Sequence, residues 1–214
     1  MESRSERLRL YRREVADCIC CRERGLLDRK GERWASPLLD AGSAKSGLVL
    51  VLEAPNRADT YEHGRMTCDP HTDPSGRFLL ELLDRVGLTP EDIVMTNAVL
   101  CLPAGSSGKY PVRALQKKQC VPWLKRLIVD SEATVVASVG TKALEALELV
   151  EPHGIKLTEY VGCARDWFGR KLVPLYHVSR LGRVNRSEEL QRRDIEAIKP
   201  YLRGAAVEAR ETRS

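Results

Sequence analysis

Four stretches of the chain are continuously apolar and end in residues that interrupt a strand: GLVLVLEAP (47–55), DIVMTNAVLC (92–101), TVVASVG (134–140) and KLVPLYHVS (171–179). Apolar runs this short, without polar alternation, predict strands buried on both faces. Between them the apolar positions fall at helical spacing. RSERLRLYRREVA (4–16) reads as an arginine-rich helix, and GRFLLELLDRVGL as a helix that Ser75 opens and Gly87 ends. Residues 113–129 read as a basic helix in which Pro122 predicts a kink or break. TKALEALELV follows the third strand as a helix starting near Thr141, and Ser187 opens a last helix over 187–202. Residues 22–46 look polar and irregular, and 56–75 form a long loop straight after a core strand. This alternation predicts an α/β fold: a three-layer α/β/α sandwich with a mostly parallel four-stranded central sheet. One domain over 1–203 accounts for the pattern, and the tail 204–214 is expected to be mobile.

Composition narrows the class. Aromatic residues are only 5 %, so the core must be built from Leu, Val, Ile and Ala. No apolar run reaches the length of a membrane span, which predicts no membrane partner. The basic start MESRSERLRLYRREV lacks the apolar stretch of a secretory signal, so a cytoplasmic monomer is expected. A net charge of +5 is compatible with a polyanionic partner without demonstrating one.

The cysteines add chemistry. There are seven, an odd number ill-suited to a full disulfide set. Cys18 and Cys21 form a C-x-x-C pair, Cys101 closes the second apolar run, and Cys120 lies in the basic helix. A close pair plus two distant thiols can staple an N-terminus through tetrahedral zinc or an iron–sulfur cluster. Cys20 is an alternative ligand, whereas Cys68 and Cys163 have no patterned partner.

Ligands of open parallel sheets bind beyond the carboxyl ends of the strands. The residues there are Glu53-Ala54-Pro55-Asn56, Thr96-Asn97, Ser138-Val139-Gly140-Thr141 and His177-Val178-Ser179, the last followed by the loop RLGRVNR. Arg180, Arg183 and Arg186 beside them are candidates for phosphate contact, and Lys117, Lys118, Lys125 and Arg126 for a second basic surface.

These segments resemble a known family. LEAPN resembles the G-E-A-P-G loop of the iron–sulfur uracil-DNA glycosylases, the groups called families four and five. MTNAVLCLP resembles their T-N-x-V-x-C-x-P segment, ASVGTKAL their A-L-G-x-x-A region, and HVSRLGR their H-P-S motif and DNA-entering loop. The order agrees from about Cys18 to Leu202. The resemblance implies removal of uracil from DNA, single- or double-stranded, to leave an abasic site. It implies an iron–sulfur (4Fe-4S) cluster on Cys18, Cys21, Cys101 and Cys120, with zinc as the alternative.

It also implies roles for individual residues. His177 becomes the donor to the departing base, and Asn97 reads the uracil edge. Glu53 or Asp69 positions water, with Asp59 ranked lower. Asp69 enters through GRMTCD, which resembles G-R-x-F-T-G-D with a gap of one residue. Ala54, Pro55, Asn56, His71 and Ser179 line the base pocket, and Arg180, Leu181 and Arg183 touch DNA, with Leu181 as the wedge. The chain departs from the family at Leu52 and Asn56, where glycines are usual, at Val178 in place of proline, and at His71 in place of a stacking aromatic. Two other readings stay open. One is a glycosylase for another deaminated base such as hypoxanthine. The other is a catalytically inactive iron–sulfur or zinc nucleic-acid-binding module.

Overall fold

A computed structural model describes residues 2–22, 24–27, 29–30, 33–34, 37, 43, 45–55, 73–105 and 111–203. The chain opens with α1 (Arg4–Ala16), capped by the Ser3 hydroxyl, which accepts from the Glu6 N–H. A two-stranded antiparallel ribbon, β1 (Arg29–Lys30) and β2 (Arg33–Trp34), follows within the stretch expected to be irregular. Then come β3 (Leu48–Leu52), α2 (Pro74–Arg85), a 3-10 turn at Pro90–Asp92, and β4 (Val94–Asn97). The second half holds α3 (Ala114–Asp130), β5 (Val135–Val139), α4 (Thr141–Val150), α5 (Leu157–Tyr160) and β6 (Arg165–Trp167). It ends with β7 (Arg170–Leu175), α6 (Arg180–Asn185), α7 (Glu188–Asp194) and a 3-10 segment, Ile195–Tyr201.

The main sheet runs β4-β3-β5-β7-β6 among the described residues. The four expected strands are present and mutually parallel. The fifth, β6, pairs antiparallel with β7 at the edge. It escapes a periodicity reading because it is three residues long and only Trp167 is buried.

Period-two alternation divides the core. Val49, Val51, Val94, Val136 and Leu172 pack with Leu8, Leu124, Leu127, Ala143 and Leu147 of α1, α3 and α4. Leu48, Leu50, Met95, Val135 and Val173 pack on the other face with Phe78, Leu79, Leu82 and Leu83 of α2 and with Ile195 and Ile198. Burying each such side chain is worth roughly 1.5–3 kcal/mol, so aliphatic burial on both faces holds the sandwich together.

Local chemistry corrects several expectations. Asp73, not Ser75, caps α2: its carboxylate accepts from the Ser75 N–H at 2.8 Å, and Pro74 occupies the first turn, where its missing N–H costs nothing. Pro122 does not interrupt α3. It lies on the exposed face, as does Lys118, the residue whose carbonyl it leaves without an intrahelical donor, so water can solvate that group. The segment after His177 is not a loop but the short helix α6, capped by the Ser179 hydroxyl. The last helix is α-helical only to Asp194 and continues as 3-10. No helix among the described residues is long and apolar enough to cross a membrane.

Candidate active site and thiol centre

The carboxyl ends of β3, β5 and β7 open into one cleft of about 340 Å³. Glu53 enters it from the end of β3, Gly140, Thr141 and Lys142 from the β5–α4 junction, and Tyr176 and His177 from the end of β7. Ser179, Leu181, Gly182 and Asn185 line the α6 side, and Leu157 of α5 closes another.

His177 is the best-defined group there. Its Nδ1 accepts the Ser179 N–H at 3.1 Å. A neutral ring whose Nδ1 accepts must carry its proton on Nε2, which is then available as a donor. Burial pulls the imidazole pKa below its usual 6.5, while the carboxylates of Glu53 and Asp73 oppose the shift. The net direction favours the neutral ring. Two glycines make the fit possible. A Cβ at Gly182 would lie 1.7 Å from the His177 carbonyl oxygen, so α6 can press against this strand end only without a side chain there. Gly140 has φ +93°, and a Cβ on it would sit 3.1 Å from the His177 Cβ.

Asn97 ends β4, in register with Leu52 of β3. It is 1 % exposed, yet neither its amide nitrogen nor its oxygen has a hydrogen-bond partner among the described residues. A buried amide left unpaired on both atoms costs stability unless something else meets it.

The structure thus brings Glu53, His177, Ser179 and Leu181 into one cleft. Ala54 is half-buried against the α1–α3–α4 core, and Pro55 is buried. Asn56, Asp59, Asp69 and His71 lie outside the described residues, as do Cys68 and the tail 204–214. Leu181 is 70 % exposed at the cleft mouth. Arg180 is exposed and makes no ion pair among the described residues. Arg183 pairs with Glu188 and lies over the Phe78 ring, and Arg186 grips both oxygens of Asp194. The second basic surface is largely committed internally as well. Lys117 is buried against Glu145, Arg126 bridges Glu14 and Asp130, and Lys125 lies over Phe168. The sequence reading missed Lys142, Tyr176, Gly182, Asn185 and the influence of Asp73. Glycine in RLGR was the one visible signal, since a glycine inside a helix needs a packing reason.

The thiols gather beyond the carboxyl end of β4, where Cys101 follows Asn97 in the chain. Cys21 and Cys101 share a small buried cluster with Leu26 and Leu27, and Cys120 lies in the adjoining core. Cys18 is half-buried and Cys20 exposed. The N-terminal segment is held there by a bridge between Leu27 and Pro103 and by buried Gln116, whose amide donates to the Leu26 carbonyl at 2.7 Å. Burial pushes the Cys120 thiol up to about 12, helped by Cys21, Cys18 and Cys20 and opposed by the Leu100 N–H. Burial and the other thiols also raise Cys101. Tyr11 of α1 is 2 % exposed, lies near Cys120, and leaves its hydroxyl without a partner among the described residues. Thiols converging from three segments, beside an orphaned hydroxyl, suit a positively charged group that takes sulfur ligands. No three His, Cys, Asp or Glu among the described residues meet closely enough to chelate one ion.

Comparison with known proteins agrees with this layout. The family model described as the uracil DNA glycosylase superfamily matches residues 39–202. The chain is 28 % identical over 207 residues to a type-4 uracil-DNA glycosylase of Thermotoga maritima, covering 95 % of this chain and 98 % of that protein. A type-4 uracil-DNA glycosylase of Pyrobaculum aerophilum is 30 % identical over 122 residues, 56 % of this chain and 58 % of its own. One of Archaeoglobus fulgidus is 27 % identical over 104 residues, 49 % and 48 % of the two chains.

Proposed function

The chain belongs to the uracil DNA glycosylase superfamily, and from that premise we propose that it hydrolyses the N-glycosidic bond of uracil in DNA and leaves an abasic site. The observation that carries the reading is the neutral, Nε2-protonated His177 at the cleft beyond the strand ends, with Glu53 beside it.

The chemistry follows from these groups. A base inside a stack is out of reach, so the nucleotide must turn out into the cleft. As the bond from the sugar to the base breaks, its electron pair stays with uracil and the sugar becomes cation-like. His177 Nε2–H donates to the uracil oxygen where that negative charge develops. A neutral ring with its proton on Nε2 donates there while its Nδ1 goes on accepting the Ser179 N–H. Asn97 offers an amide N–H to one uracil oxygen and its own carbonyl to the ring N–H, which would satisfy the two atoms left orphaned. Water adds to the anomeric carbon, positioned by Glu53 or Asp69, and its proton ends on the departing base or solvent. Ser179 holds the histidine tautomer. Ala54, Pro55, Asn56 and His71 are the further residues assigned to binding the base. Leu181 enters the space left by the extruded base. Arg180 meets a phosphate, and Arg183 anchors α6 through Glu188.

Cys18, Cys21, Cys101 and Cys120 would hold a 4Fe-4S cluster, with zinc as the alternative. Its contribution is structural, since hydrolysis moves no electrons, and residues 1–203 then act as one unit. Cys101→Ala is expected to lose the bound metal and to lower the melting temperature by roughly 10 °C or more, as a few kcal/mol moves a domain of this size by about 2–4 °C each. Metal analysis, visible absorbance and thermal melts read this. Full metal content and an unchanged melt would remove Cys101 from the ligand set, and a colourless zinc protein would replace the cluster.

The direct test is single-turnover cleavage of a labelled oligonucleotide carrying one uracil, followed by hot alkali. Alkali-dependent breakage at uracil, absent from a thymine control, is the expected result. Breakage only at hypoxanthine would move the base specificity. None at either base, with the metal in place, would leave a nucleic-acid-binding module.

A further inference from the structure

Lys142 has no part in the chemistry described above, yet it lines the same cleft from the first turn of α4. Its ammonium lies 3.1 Å from both oxygens of Glu145, one helical turn on, and its side chain remains 41 % exposed. Glu145 does not belong to Lys142 alone. Lys117 of α3, whose side chain is only 9 % exposed, reaches the same carboxylate. Two ammoniums therefore share one carboxylate, and the trio carries a net charge of +1 at the cleft rim. Of the neighbouring charged side chains, Lys156 pairs with Glu159, while Glu148 stays anionic and turns to the His153 and Gly154 N–H groups. Of these side chains it is Lys142 that lines the cleft, while Lys117 is buried.

We infer that Lys142 is a phosphate-binding residue on the α4 wall of the cleft, and that buried Lys117 keeps it available by sharing Glu145. Without Lys117, Glu145 would serve Lys142 alone and cancel its charge towards an incoming anion. The ligand is the sugar-phosphate backbone of the strand beside the extruded nucleotide, with exposed Arg180 at the start of α6 as its counterpart. This rests on the glycosylase reading for the direction from which DNA arrives, but not on the chemistry of excision.

Phosphate contacts release condensed counterions, so each appears in the slope of log K against log salt, about 0.9 per phosphate on duplex DNA and about 0.7 on a single strand. The experiment is a salt titration of binding by the full-length protein to a uracil-free oligonucleotide, in single-stranded and duplex form. Lys142→Gln is expected to weaken binding several-fold at low salt and to flatten the slope by roughly one phosphate. Lys117→Met, which removes a charge DNA cannot reach, should flatten the slope in the same direction. An unchanged slope in Lys142→Gln overturns the inference, and an unchanged slope in Lys117→Met alone overturns the sharing of Glu145. If wild-type protein cuts no uracil but its slope still depends on Lys142, the glycosylase reading fails and this one stands.

Discussion

His177→Ala is expected to slow uracil release at saturating DNA by about 10²–10³-fold, the usual cost of removing one preorganised donor from a developing anion. Binding of DNA should change little, because the residues proposed for phosphate contact, Arg180 and Lys142, are others, so the loss should fall on the chemical step and not on KM. The histidine also makes a pH prediction. Its folded pKa lies below 6.5 because burial disfavours the charged ring. The wild-type rate should therefore begin to fall, as far as this group is concerned, at a lower pH than an ordinary histidine would set. The same shift sets the sign of its stability effect. Above pH 6.5 both folded and unfolded states hold the ring neutral, and its contribution is fully present. As pH falls from 6.5 towards the lower folded value, the unfolded chain takes up a proton that the folded chain resists, and stability is lost. His177→Ala should remove that part of the pH dependence from the melting curve. Turnover within a few-fold of wild type would take His177 out of the mechanism.

Asn97→Asp is expected to collapse the preference for uracil over cytosine, chiefly by slowing uracil. Uracil presents an acceptor beside a donor on the edge to be read, and cytosine presents the reverse. An amide held in one orientation can match the first pattern and not the second. A buried site built to hydrogen-bond its substrate discriminates by as much as about 10⁴–10⁵, because the wrong partner leaves its polar atoms unpaired. Asn97 shows that condition without ligand, both side-chain atoms being buried and unpartnered among the described residues. The measurement is kcat/KM on matched oligonucleotides carrying uracil or cytosine, beside a thermal melt. An Asn97→Asp variant that folds and keeps the wild-type ratio would end the readout role. Asn97→Asp also buries a carboxyl group with no partner among the described residues, so the melt is expected to fall and the ratio is read on the folded fraction.

Much of this could be read from particular residues before any coordinates. Continuous apolar runs placed the four parallel strands, because strands covered on both faces tolerate few polar side chains. The strand ends then pointed to Glu53, Asn97 and His177 together, since parallel strands put all their carboxyl termini on one edge. The cysteine spacing marked Cys18 and Cys21 as a pair, and the fold packs Cys21 against Cys101 in one buried cluster. Other features gave no such signal. β6 is too short to show a period. Asp73 and Ser75 are equally good caps by residue type, and the position of Pro74 decided between them. Lys117 looks like any surface lysine in a basic helix until α4 is packed against it.

The division has one physical cause. Strand order along the chain, helix periodicity, and the identity of the groups at each strand end are local properties, and the sequence by itself determined them. The proton position on His177, the closeness of α6 that only Gly182 permits, the orphaned amide of Asn97 and the shared carboxylate of Glu145 depend on which distant segments meet. Hydrogen-bond partners, burial and the charges that move a pKa come from neighbours in space. Only the tertiary structure decides those.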